Sequence, residues 1–156
     1  MTISEIDRRI IGLLERDARM SFAELAETVG LSKTPCWNRV KALEAEGLIR
    51  GYRAAVDPAG MGFGIEALVQ VSIRPEMFEP FEREVRAHPL VRRAHATTGE
   101  ADYLLHIMAA DMAALDRLLR MEISQLPGVT RTVTAMITRD IKSENSLSEA
   151  HRHAGL

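Results

Sequence analysis

The apolar residues of this chain follow two different periods, and the change between them limits the fold more than any other feature. Before about residue 50 they recur every three or four positions, and after about residue 65 they alternate. Ile6, Ile10 and Leu13/Leu14 predict an amphipathic helix over roughly residues 4–16. Ser21-Phe22-Ala23-Glu24 has capping-box spacing, in which hydroxyl and carboxylate each satisfy an amide at the helix start. The helix it opens carries Phe22, Leu25, Ala26 and Val29 on one face and stops at Gly30, a residue that accepts a left-handed turn. Ser32 is predicted to cap a third helix with Pro35 in its first turn, where a missing N–H costs little. That helix runs to about Glu46 and ends at Gly47.

Residues 48–56 alternate partly around Gly51 and predict a short hairpin or wing, and the Gly- and Pro-rich residues 57–64 predict a linker. Beyond it, Ala67, Val69, Val71 and Ile73 alternate as in a strand, and Phe78, Phe81 and Val85 mark a helix ending near His88-Pro89. A strand is expected from 91 to about 97, and another over 102–109. The latter is apolar on both faces and so is predicted to be central and covered. A helix over 112–125, with Leu115, Leu118, Leu119 and Ile123 as its stripe, breaks at Pro127-Gly128, and a Thr-rich strand follows over 129–141. The order βαββαβ is the ferredoxin-like pattern, so the fold class is α+β. The predicted domains are a helix-turn-helix with a wing (1–56), the linker (57–64), the ferredoxin-like domain (65–142) and a polar tail without period (143–156).

Composition narrows the function classes. No apolar stretch approaches the ~20 residues that cross a bilayer, and the N-terminal residues lack the basic stretch and apolar core of a secretory signal. A lone cysteine, Cys36, forms no internal disulfide, so the expected location is the cytoplasm. His88, His95, His106, His151 and His153 make no ligand pattern with Cys36; His151-x-His153 comes nearest, and neither a metal nor a cofactor is expected. Nucleophile-elbow, P-loop and dinucleotide fingerprints are absent, which argues against an enzyme. The net charge of −2 does not announce a nucleic-acid partner, but its distribution does more. Between Ser32 and Arg53 stand Lys33, Arg39, Lys41, Arg50 and Arg53 against Glu44 and Glu46.

Reading B-DNA requires a helix that fits the major groove on a small rigid scaffold. Cys36, Val40 and Leu43 of the third helix cluster on one side, and Thr34, Asn38 and Lys41 lie opposite, flanked by Lys33 and Trp37. The second group supplies hydroxyl, amide and ammonium groups for base edges and phosphates. Ser32 and the first-turn N–H groups suit a phosphate. A three-helix bundle with a merely solvated polar face shares this spacing. Trp37 outside the apolar stripe, and the short turn before the helix, favour the groove reading.

These residues also carry a resemblance. The run from Leu31 through Trp37-Asn38-Arg39-Val40-Lys41 and Leu43-Glu44-Ala45-Glu46-Gly47 to Tyr52 resembles the recognition helix and wing of the Lrp/AsnC regulators. Ile6-Asp7-Arg8-Arg9-Ile10-Ile11-Gly12-Leu13-Leu14 is similar to that family's first helix. Gly99-Glu100-Ala101-Asp102-Tyr103 resembles its effector loop, and Leu126-Pro127-Gly128-Val129 its last βαβ element. The resemblance implies a sequence-specific regulator that binds double-stranded DNA, dimerises through the ferredoxin-like domain, as a homodimer or an assembly of dimers, and holds an amino acid at the dimer interface. An architectural DNA-binding protein without an effector is the alternative. The DNA set would be Ser32, Lys33, Thr34, Trp37, Asn38, Lys41, Arg50 and Arg53. The effector set would be Thr98, Gly99, Glu100, Asp102, Met112, Ala135, Met136 and Ile137. Asp102 either accepts from an ammonium group or caps its turn. Met112 and residues 135–137 either line the pocket or pack in the core.

Overall fold

The computed structural model describes residues 3–142 and 146–155. In chain order its elements are α1 (Glu5–Arg16), α2 (Phe22–Val29), α3 (Lys33–Ala45), β1 (Ile65–Ile73), α4 (Phe78–Ala87), β2 (Val91–Ala96), β3 (Tyr103–Ala109), α5 (Met112–Met121), β4 (Val129–Met136) and α6 (Leu147–His153). They fall into two compact units, Met1–Ala55 with Ile141–Leu156, and Val56–Asp140.

In the first unit Ile10, Leu25, Ala26, Val29, Cys36, Val40 and Leu43 form a buried core between α1, α2 and α3. Local chemistry sets the helix starts. The Ser4 hydroxyl accepts the Asp7 amide, and the capping box at Ser21 and Glu24 is complete. Gly30 closes α2 at φ 77°, where a side chain would be strained, so α3 begins within three residues.

Ser32 departs from expectation. It occupies the N-cap position of α3, but its hydroxyl makes no cap hydrogen bond. The cause lies three residues on. Ser4, Ser21, Asp111 and Ser146 each accept from the amide of the third helical residue, and in α3 that residue is Pro35, which has no N–H.

Two further expectations for this unit are corrected. Residues 48–56 form no strand, so the expected hairpin is an irregular segment. Two strands this short have little to hold them without a third. The segment is anchored instead by the Ile49 amide on the Leu43 carbonyl (3.1 Å) and by the Tyr52 hydroxyl on Glu44. The tail, expected to lack a period, carries α6, which packs on α1. Glu15 accepts the Ser146 hydroxyl (2.6 Å) and the amides of Leu147 (2.8 Å) and Ser148 (3.2 Å).

The second unit is a four-stranded antiparallel sheet in the order β2-β3-β1-β4, the ferredoxin-like arrangement. Ala67, Val69, Val71, Ile73, Tyr103, Leu105 and Ile107 face Phe81, Val85, Leu115, Leu118 and Ile123 in one core. β3 is central, as expected, but covered on one face only: its burial alternates, and Leu104, His106 and Met108 are half-buried. The helical stretch over 112–125 divides into α5 and a 3-10 turn at Ile123–Gln125, and β4 stops at Met136 rather than 141. Alternation puts Leu68, Gln70, Leu104, Met108, Val133 and Ala135 on the face away from the helices. Val133 keeps 43% of its surface exposed there.

Candidate functional site

On α3 the two sides separate as the spacing predicts. Cys36 and Val40 are fully buried and Leu43 nearly so, and burial pushes the Cys36 thiol up, as befits a packed sulfur. Ser32, Lys33, Thr34, Asn38 and Lys41 are exposed, and Trp37 is 45% exposed. Arg50 and Arg53 are exposed on the irregular segment after α3. Together these eight residues offer hydroxyl, amide, aromatic and cationic groups on the outer side of α3 and just beyond it.

Two charged groups of this surface are already engaged. Arg39 Nη1 lies 2.8 Å from Asp7 Oδ1 and ties α3 to α1. Lys41 Nζ lies 2.7 Å from Glu44 Oε2, and Glu44 Oε1 accepts the Tyr52 hydroxyl at 3.0 Å. The sequence names Glu44 only as a charge and Tyr52 only as part of the wing, without joining them. The Lys41–Glu44 spacing of three was the available signal. Beside them a cleft of about 950 Å³ opens between α1, α6 and residues 48–53, and it takes in Arg50 and Arg53.

The effector set splits. Thr98, Gly99 and Glu100 form an exposed turn with Gly99 at φ 148°. The Thr97 amide reaches the Asp102 carbonyl (2.9 Å), and the Thr97 hydroxyl the Ala101 carbonyl (2.7 Å). Asp102 stitches this turn to β1: its amide donates to Val71 O (3.1 Å) and its Oδ2 accepts the Ile73 amide (2.8 Å). The turn therefore sits at the C-terminal end of β1. Met136 pairs with Ala67, Ala135 with Leu68, and the Ile137 amide donates to Glu66 O (2.9 Å), all at the N-terminal end. Met112 follows Ala109, which pairs with Ile65 at that same end. From Ala67 to Ile73 is about 20 Å at ~3.3 Å per residue, so one chain does not bring the two groups together. Met112 and Met136 are about half exposed and so are not core residues, and β4 turns Ala135 and Met136 to opposite faces.

Among the described residues no three His, Cys, Asp or Glu side chains group as metal ligands, and no helix is long and apolar enough to cross a membrane.

Comparison with known proteins gives two family matches, a winged helix-turn-helix DNA-binding domain over residues 3–50 and the Lrp/AsnC ligand binding domain over residues 66–147. The leucine-responsive regulatory protein of Escherichia coli K12 is 36% identical over 148 residues, 93% of this chain and 90% of that protein. Among solved structures, a transcriptional regulator from Neisseria meningitidis in complex with L-Met aligns with a TM-score of 0.89 at 34% identity, covering 94% of this chain and 96% of that one. An AsnC family regulator from Agrobacterium tumefaciens aligns at 0.85 with 30% identity, covering 92% and 95%.

Proposed function

The chain belongs to the Lrp/AsnC family of transcriptional regulators, DNA-binding proteins with a ligand-binding domain rather than enzymes, and from that premise we propose how its residues divide the work. It is a cytoplasmic, sequence-specific regulator that works as a homodimer, alone or in assemblies of dimers, and answers to a free amino acid. The exposed side of α3 enters the major groove. Thr34 and Asn38 meet base edges there, and Lys33, Lys41, Arg50 and Arg53 meet phosphates. The uncapped start of α3 suits the same role. A phosphate can take the first-turn amides that the Ser32 hydroxyl leaves alone.

One observation carries the sensory half of this reading. The turn at Thr98–Asp102 and the group of Met112, Ala135, Met136 and Ile137 lie at opposite ends of β1. A ligand touched by both needs a second copy that places one end of its sheet against the other end of the first. The partly apolar outer face of the sheet, with Leu68, Leu104, Met108, Val133 and Ala135, provides the surface for that copy. The turn's amides and the Asp102 carboxylate match the charged ends of an amino acid. The L-Met complex of the Neisseria meningitidis regulator supports this ligand class.

A thermal-shift screen against the twenty amino acids, with sedimentation equilibrium on the same samples, tests the reading. The expected result is a higher melting temperature with at least one amino acid, in a species of two chains or a multiple of two. A monomer with an undiminished shift overturns the shared site. No shift with any amino acid overturns the effector, and leaves an architectural DNA-binding protein.

A further inference from the structure

We propose that Glu44 is a positioning residue that sets the strength and salt dependence of DNA binding, by holding Lys41 in competition with backbone phosphates. This rests on reading α3 as the DNA-contacting helix.

The two oxygens of Glu44 have separate partners on two sides. Oε2 pairs with Lys41 Nζ one turn back on α3 (2.7 Å), and Oε1 accepts the Tyr52 hydroxyl from the segment beyond the helix (3.0 Å). The bond from Lys41, then that from Tyr52, holds the Glu44 carboxyl below the usual carboxylate range. Burial, and then Glu44 itself, push the Tyr52 hydroxyl up to about 12. The carboxylate stays ionised and the hydroxyl keeps its proton across the neutral range, so this three-membered arrangement is fixed in charge as well as in place.

Its consequence for a duplex is electrostatic. Of the five cations between Ser32 and Arg53, Arg39 is tied to Asp7 and Lys41 to Glu44. Among the described residues, Lys33, Arg50 and Arg53 make no ion pair. A phosphate offers Lys41 the same charge-assisted bond that Glu44 already provides. Docking therefore exchanges one anion for another and gains only the difference. That gain is sequence-independent. Reducing it lowers the affinity for every duplex by the same factor and leaves the discrimination made by base contacts, such as that of Asn38, as it was. Glu44 thereby lowers raw affinity and its salt dependence without touching base preference.

The test uses the full chain and two duplexes, one of mixed sequence and one enriched by the wild-type chain from a random pool, titrated from about 50 to about 200 mM salt. Glu44→Gln removes the charge and keeps an acceptor for Tyr52. It is expected to steepen the slope of log affinity against log salt by up to ~0.9, roughly threefold more affinity lost across that range. Its affinity for the two duplexes should rise by the same factor, since the phosphate contact is blind to sequence. Lys41→Ala in the Glu44→Gln background should cancel the steepening, and Tyr52→Phe alone should leave the wild-type slope. A Glu44→Gln slope equal to wild type, or a steepening that survives loss of Lys41, overturns the proposal. Should Glu44→Gln not fold, Lys41→Ala alone decides it. A slope reduced by clearly less than ~0.9 supports masking by Glu44, and the full reduction overturns it. A wild-type chain that binds neither duplex overturns the DNA reading itself, an outcome distinct from equal slopes.

Discussion

The Glu15 carboxylate accepts the Leu147 amide at 2.8 Å, across 132 residues of sequence. A side chain near the end of the first helix thus caps the last helix of the chain. Arg16 adds an ion pair to Glu149 (2.9 Å). At Gly12 the helices come so close that an added Cβ would lie 2.6 Å from the Ser148 hydroxyl oxygen. A seven-residue helix is too short to persist in water alone, so α6 depends on what α1 provides.

Removing that cap should cost the first unit stability in a pH-dependent way. Burial alone would raise the Glu15 carboxyl, but the hydrogen bonds from Ser146, Leu147 and Ser148 together outweigh it and lower it from its ordinary 4.5. A carboxyl depressed in the folded state stabilises above its unfolded value and loses that contribution as pH falls through the folded one. Glu15→Ala is therefore expected to lose about 1 kcal/mol at neutral pH. The gap from wild type should narrow as pH falls below about 4.5. Urea unfolding at pH 7, 5 and 3 checks this, and a pH-independent gap counts against it.

Two serines in equivalent positions should answer differently to the same substitution. Ser21→Ala removes a hydroxyl that accepts the Glu24 amide (3.3 Å) and unbalances a complete capping box, at a cost of about 1 kcal/mol. Ser32→Ala removes a hydroxyl with no cap bond to lose. Its stability should match wild type, while its affinity for duplex DNA falls. Paired thermal melts and DNA titrations separate the two effects, and equal destabilisation by both substitutions contradicts this account of Pro35.

These two cases also show how far the sequence could be read. The capping box at Ser21, the stop at Gly30 and the inward set Cys36, Val40 and Leu43 are local patterns, decided within one or two turns, and they were legible. The missing bond at Ser32 was legible in principle, since Pro35 stands at the third helical position. Pro35 is harmless to the helix itself, yet it removes the donor that a Ser32 cap needs. Glu15 and α6 were not legible, because the partner lies at the other end of the chain and the seven residues of α6 carry no stripe. The outer face of β3 misled for a physical reason. Leu104 and Met108 make the strand apolar on both sides, which within one chain reads as covered. The effector residues were named from resemblance, and pairing register then placed them at two ends of a strand.

The division of labour on α3 predicts two kinds of binding defect. Asn38 carries an amide that can pair with a base edge, so Asn38→Ala should flatten the preference among operator variants, by ~1–3 kcal/mol at the position it reads. Lys41 carries only charge, so Lys41→Ala should weaken all duplexes alike and lower the salt slope. Competition titrations against single-base operator variants distinguish these patterns. Unchanged affinity and preference in both variants would rule out this helix as the reader.

Asp102 has two functions to separate, and the choice of substitution separates them. Its Oδ2 accepts the part-buried Ile73 amide, so the carboxylate stitches the turn at Gly99 to β1 whether or not a ligand is present. Asp102→Ala leaves that amide unpaired, at a cost of about 1–3 kcal/mol, and deletes the charge as well. Asp102→Asn keeps a carbonyl oxygen for Ile73 and removes only the charge that an ammonium group would meet. The asparagine variant is therefore expected to melt close to wild type and to bind DNA normally, yet to lose the thermal shift with amino acid. The alanine variant should melt lower and lose the shift too, which by itself would not tell the two functions apart. If Asp102→Asn responds to amino acid as wild type does, the carboxylate is only a stitch, and the ligand's ammonium group is held elsewhere.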